Sequence, residues 1–144
     1  MARICGRSNW LKGGLMATSA AAETFEVELL NRGEAGVMVF QPDFIEAQPG
    51  DTIRFVPTDK GHNVESIGGM LPDGVEAFKS DYNTEFELQV DTEGVYGVKC
   101  TPHYGMGMVA LIQVGEAGNL ASAKDQKQPG KAAKHFDALF AQVN

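Results

Sequence analysis

Short alternating stretches separated by glycine- and proline-rich turns predict an all-β fold: a Greek-key β-sandwich of about eight strands followed by two C-terminal α-helices. Three observations carry this. Phe25-Glu26-Val27-Glu28-Leu29 and Glu85-Phe86-Glu87-Leu88-Gln89-Val90 alternate apolar and polar residues, the period-two mark of half-buried strands. Turn signals recur between such runs, at Gln48-Pro49-Gly50-Asp51 and Leu71-Pro72-Asp73-Gly74. After Gly115 the strand period gives way to segments rich in Ala, Lys and Gln.

Taken in order, Phe25–Leu29 is the first strand and 31–36 a turn. Val37–Phe40 and Phe44–Ala47 are short apolar runs on either side of Gln41-Pro42-Asp43, and Thr52–Val56 follows the Gln48–Asp51 turn. Asn63–Ser66 adds a brief strand, and 68–80 reads as a loop with a helical turn near Glu76–Lys79. Gly94–Lys99 and Met108–Val114 read as a pair of strands joined by a short loop. The spacing of Phe136, Leu139, Phe140 and Val143 makes Lys131–Gln142 an amphipathic helix, and Asn119–Lys127 is the helix before it. These pairings predict an antiparallel sandwich. His135, on the second helix, reads as a solvated histidine.

At 144 residues, with 43% hydrophobic and 22% charged residues, the chain fits one domain with a single core. Its net charge of −7 disfavours nucleic acid and anionic membrane as partners. Residues 1–22 hold Arg3, Arg7 and Lys12 without an acidic residue and end in Ala20-Ala21-Ala22, like a signal peptide cleaved before Glu23. Lys12-Gly13-Gly14 interrupts the apolar middle, so a disordered leader or a misassigned start fits the same residues. Residues 23–144 form the single domain. Without residues 1–22 the 12 Lys and Arg fall to nine against 19 Asp and Glu, a net charge of −10. Cys5 leaves with them, so Cys100 becomes the sole thiol and no internal disulfide forms.

The chemistry is concentrated in Lys99-Cys100-Thr101-Pro102-His103-Tyr104-Gly105-Met106-Gly107-Met108, with His62 in Lys60-Gly61-His62-Asn63. One thiolate, two imidazoles and a thioether are the ligand set of a blue-copper electron-transfer site. Imidazole and thiolate serve both Cu(I) and Cu(II), and a weak thioether completes the site without imposing a square plane. The reading takes His62, Cys100, His103 and Met108 as ligands. Met108 is preferred to Met106 because an apolar strand follows it directly. Asn63 is placed to bond the backbone beside Cys100 and to offer its N–H to the thiolate. Pro102 has no N–H to offer. A cysteine is more often a buried small hydrophobe than a ligand, but a histidine, two glycines and two methionines follow Cys100 within eight residues.

Three other readings fit less of this pattern. A copper carrier needs an open, exchangeable site. A Cys100–His103 thiol enzyme leaves His62 and both methionines without a role. A structural zinc site has no use for a thioether.

The runs C-T-P-H-Y-G-M-G-M, V-Y-G-V-K, P-T-D-K-G-H-N-V-E, I-G-G-M-L-P-D-G and E-A-F-K-S, with M-V-F at Met38, resemble the pseudoazurin family of small bacterial cupredoxins. The likeness extends from Phe25 to Asn144. It implies one type 1 copper on His62, Cys100, His103 and Met108, with Met38 packing near the His103 ring. It also implies a monomeric periplasmic electron carrier, not an enzyme. Its transient partners would be a copper nitrite reductase, a nitrous oxide reductase or a cytochrome c-type protein. Residues 94–115 hold no Asp or Glu and one charge, Lys99. With Lys60, Lys79, which the resemblance places near the same face, and Arg32, it would ring an apolar patch around His103 for docking.

Overall fold

The computed structural model describes residues 21–144. The expected leader and its Cys5 lie outside them, apart from Ala21 and Ala22. The strands are β1 (Thr24–Gly33), β2 (Gly36–Gln41), β3 (Phe44–Ala47), β4 (Asp51–Val56), β5 (Glu65–Ser66), β6 (Phe86–Val90), β7 (Gly94–Lys99) and β8 (Val109–Val114). A 3-10 helix, Thr101–Met106, joins β7 to β8, and α1 (Leu120–Lys124) and α2 (Ala132–Phe140) end the chain. Two four-stranded sheets form the sandwich, ordered β2-β1-β4-β6 and β3-β8-β7-β5.

The period of two decides which residues enter the core. In β4, Asp51, Ile53 and Phe55 are buried, and the residues between them are partly exposed. Buried Asp51 is satisfied, because its carboxylate accepts the N–H of Glu23 at 2.9 Å and of Gln48 at 2.8 Å. β8 is buried at every position. Ala110, Ile112 and Val114 face the opposing sheet, while Val109 and Leu111 pack with Ala132, Phe136 and Leu139 of α2. The helices therefore cover a sheet face that would otherwise meet water, which is why the sequence here lacks alternation.

The structure corrects four expectations. The sandwich is mixed, since β1 pairs with β4 and β3 with β8 in parallel. Side-chain period reports which face is buried and says nothing of strand direction. The 31–36 turn shrinks to Glu34-Ala35, and Arg32 and Gly33 continue the β1–β2 ladder. Glu76–Lys79 forms no helical turn, and Lys79 bridges to Glu65. His135 is half-buried and bonded to protein acceptors through both ring nitrogens, where a solvated ring was expected. No helix among the described residues is long and apolar enough to cross a membrane.

Candidate metal centre

Two registers bring the motif residues together. In the β7–β8 hairpin, Lys99 stands opposite Val109, so the loop from Cys100 to Met108 leaves and re-enters one strand pair. In the β5–β7 pair, Glu65 stands opposite Lys99, which sets His62 and Asn63 beside Cys100.

The loop is closed by its own backbone. The Cys100 N–H donates to the Met108 carbonyl at 3.0 Å, the His103 N–H to Cys100 at 3.1 Å, and the Met108 N–H to His103 at 3.2 Å. Gly107, at φ +92, makes the left-handed turn that ends the 3-10 helix. The Met108 side chain is fully buried in the core cluster that also holds Cys100, whereas Met106 is 49% exposed.

The fully buried Cys100 thiol faces two imidazoles. Its Sγ lies 3.6 Å from His62 Nδ1 and 3.5 Å from His103 Nδ1. The ligand atoms of the three residues all lie within 4.8 Å of one another. His62 Nε2 sits 2.8 Å from Asn31 Oδ1, which can only accept, so the ring proton belongs on Nε2. That leaves the Nδ1 lone pair aimed at the thiol side, as a metal requires. Burial, then the neighbouring His103, lower the His62 pKa, with Asp59 opposing. Burial pushes the Cys100 thiol up, against the amide N–H groups of Asn63 and His103. A buried thiol of that kind ionises beside a cation, so the donor set fits a metal ion, and the buried thioether turns the fit toward copper.

Asn63 locks the two loops together. Its Oδ1 accepts the Thr101 N–H and its Nδ2 donates to Thr101 Oγ1, both at 2.8 Å. Thr101 Oγ1 in turn donates to Glu65 Oε1 at 2.7 Å. Pro102, Gly105 and Met106 are exposed around the half-buried His103, giving that edge an apolar rim. Met38, half-buried at φ +53, packs on the core and lines a groove with Met106 and Gly107.

The basic residues are not equivalent. Lys60, Lys79 and Arg32 are exposed. Lys99 is held: its Nζ lies 3.8 Å from Glu65 Oε1 and 4.5 Å from the centre of the Tyr104 ring. The β5–β7 register, which sets Lys99 opposite Glu65, accounts for that pairing.

Two participants escaped the sequence reading. Asn31 lies in the expected 31–36 turn, and no local signal ties it to His62. His135 is bonded through both ring nitrogens, to Gly107 O at 2.6 Å and Asp43 Oδ2 at 2.7 Å. Its spacing from buried Ala132 and Leu139, three and four residues away, is that of the covered stripe of α2 and was a usable signal.

A two-sheet sandwich that brings a buried thiol against two imidazoles at one end defines a copper-binding cupredoxin. A family model described as copper binding proteins, plastocyanin/azurin family, matches residues 27–115. The chain is 58% identical to a pseudoazurin of Paracoccus pantotrophus over 90% of each chain. It is 50% identical to one of Methylorubrum extorquens, covering 86% of this chain and 84% of that one. Its fold matches the crystal structure of a pseudoazurin from Hyphomicrobium denitrificans with a TM-score of 0.81, at 46% identity, over 84% of this chain and 98% of that one. The chain belongs to the pseudoazurins, within the plastocyanin/azurin family of copper binding proteins. It is a copper electron carrier and not an enzyme.

Proposed function

We propose that His62, Cys100, His103 and Met108 hold one copper ion per chain, and that this monomeric protein carries single electrons in the periplasm to a denitrification reductase such as a copper nitrite reductase. The observation that supports it best is the approach of both Nδ1 atoms to one buried Sγ, at 3.6 and 3.5 Å. Bound copper supplies a one-electron couple between Cu(I) and Cu(II). The protein's part is to hold the donors still in either state. The Asn31 bond fixes the His62 tautomer, and the Asn63–Thr101 pair fixes the distance between the ligand loops. His103 is half-buried within the apolar rim and is the route by which an electron leaves. In this reading Met38, on β2, tunes that ring from the groove it lines with Met106 and Gly107. Exposed Lys60, Lys79 and Arg32, with paired Lys99, orient a transient acidic partner such as that reductase. A nitrous oxide reductase suits the same surface, whereas a basic cytochrome c would reverse the salt dependence.

Titration with Cu(II) tests the reading. One equivalent should turn the protein intensely blue to green through thiolate-to-copper charge transfer, and Met108→Gln should keep copper while lowering the potential. Met106→Gln should change the spectrum far less. A colourless protein at saturating Cu(II) overturns the site, and a spectrum that responds to Met106 instead overturns the choice of Met108.

A further inference from the structure

The C-terminal segment grips the loop between His103 and Met108 at three points: the Tyr104 hydroxyl and the Gly105 and Gly107 carbonyls. Tyr104 Oη donates to Gln128 Oε1. The Lys131 N–H donates to Gly105 O at 3.0 Å, an approach that Gly130 permits: at φ +50, any Cβ there would collide with the Gly105 carbonyl oxygen. The third grip is the His135 ring on Gly107 O at 2.6 Å.

This last contact closes a circuit around Met108. His135 Nε2 lies 2.7 Å from Asp43 Oδ2, and the Asp43 carbonyl accepts the Leu111 N–H at 2.9 Å. Leu111 belongs to β8, the strand that begins directly after Met108. The backbone on both sides of Met108 is therefore tied to the same pair of residues: Gly107 through the His135 ring, and Leu111 through the main chain of the Asp43 that holds that ring. A carbonyl and a carboxylate are both acceptors, so both ring nitrogens of His135 donate only when the ring is an imidazolium. The hydrogen bond that the His135 ring donates to Asp43 raises the His135 pKa, against desolvation, with Gly107 O adding to the rise. Lys131, which caps α2, and Lys134 within it are the other charged groups lining this groove, and the loop residues facing it, Met106 and Gly107, carry no charge.

We propose that His135, held by Asp43, is a positioning residue for Met108: it fixes the Gly107 carbonyl, hence the backbone from which the thioether projects, and thereby tunes the optical spectrum and potential of the copper site. The proposal rests on Met108 being a copper ligand. A side chain that only packed α2 against the sheet would not reach into the loop between two ligands. Ala132, Phe136 and Leu139 already perform that packing.

The test uses the full chain with His135→Leu, His135→Arg and Asp43→Asn. Each should bind one copper. In His135→Leu and Asp43→Asn the relative intensity of the two thiolate charge-transfer bands should change and the potential should shift. His135→Arg, which keeps donors for both acceptors, should restore most of the wild-type values. In metal-free protein, loss of a charge-assisted hydrogen bond should speed amide exchange at Gly107 and Met108 by about tenfold, with β6 unchanged. Asp43→Asn leaves the α2 sequence intact and decides the matter if His135→Leu folds poorly. Wild-type spectra, potential and loop exchange in Asp43→Asn overturn the proposal. If Met108→Gln shifts the spectrum while these variants do not, the positioning role alone fails. If Met108→Gln leaves the spectrum unmoved, the ligand assignment has failed first, and the proposal falls with it.

Discussion

The loop from Cys100 to Met108 is held on two sides by different chemistry. On the His62 side, Asn63 grips Thr101 with two neutral hydrogen bonds of 2.8 Å. On the α2 side, the His135–Asp43 pair grips Gly107 through a titratable ring. The first clamp sits next to the thiol and keeps its strength at any pH where the fold survives. The second sits next to the thioether and depends on a proton. Under the proposed ligand assignment, the thiol end of the loop is anchored by an amide and the thioether end by an imidazole.

The largest effect comes from removing what both clamps hold. Cys100→Ser should abolish the colour entirely and collapse copper affinity, whereas both clamps should survive in the metal-free fold. Absorption and copper analysis after dialysis check this. Retained blue colour would mean that the two sides surround something other than a thiolate-bound metal.

Breaking the amide clamp comes next. Asn63→Leu leaves the Thr101 N–H and Oγ1 partly buried, with one of Thr101's partners, Glu65, still in place. The cost should be about 1–3 kcal/mol of stability, read from urea unfolding of the metal-free protein. Copper binding should weaken as well, because His62 and Cys100 lose their shared anchor. A stability within about 0.5 kcal/mol of wild type would show that the clamp is ornamental, since surface-like changes fall in that range.

These two sides also differ in how far the sequence discloses them. His62, Asn63, Cys100, His103 and Met108 stand in two short motifs whose residue types match one chemistry, so their convergence was readable before any fold. The eight strands were readable too, because burial imposes a period of two on Val27, Leu29, Ile53 and Phe55. Parallel pairing of β1 with β4 was not, since it is settled by sheet crossing rather than by any local residue. Asn31 and Asp43 were invisible for a related reason: each lies 31 or more positions from the histidine it serves, and an Asn or Asp near a turn is the commonest of surface residues. His135 looks solvated by polarity alone, whereas its place beside the buried stripe of Ala132 and Leu139 sets it against the loop.

The contrast becomes measurable in the pH dependence of the metal-free protein. His62 has its pKa lowered by burial, so the unfolded chain takes up its proton first. Its contribution is complete above the ordinary histidine pKa and is lost as pH falls toward the folded value. His135 has its pKa raised by Asp43, so its contribution is complete below the ordinary value and is lost as pH rises through the folded value. The stability advantage of wild type over His135→Leu should therefore be greatest in mild acid and shrink toward alkaline pH. The advantage over His62→Ala should move in the opposite direction. Denaturant titrations at several pH values separate the two, and parallel slopes would remove the distinction between the two histidines.

The smallest effect concerns the surface outside the clamps. Lys60 precedes His62 by two residues and is exposed, whereas Lys99 lies beside Glu65 and over Tyr104 with its side chain only 21% exposed. A paired, half-covered ammonium contributes little net field beyond its partner, while an unshielded one acts at full strength over roughly 8–10 Å at moderate ionic strength. Lys60→Gln should therefore slow electron transfer to an acidic reductase by about twofold at low salt, and Lys99→Gln by less. Both differences should vanish near 1 M salt, where screening cuts the range to about 3 Å. Stopped-flow rates against ionic strength check this, with colour and potential as controls for an intact site. Equal effects of the two substitutions would mean that Glu65 does not neutralise Lys99 in the encounter complex. A wild-type rate that rises with salt would place the control of docking in the 19 carboxylates of the acidic body rather than in the few lysines around the copper loop.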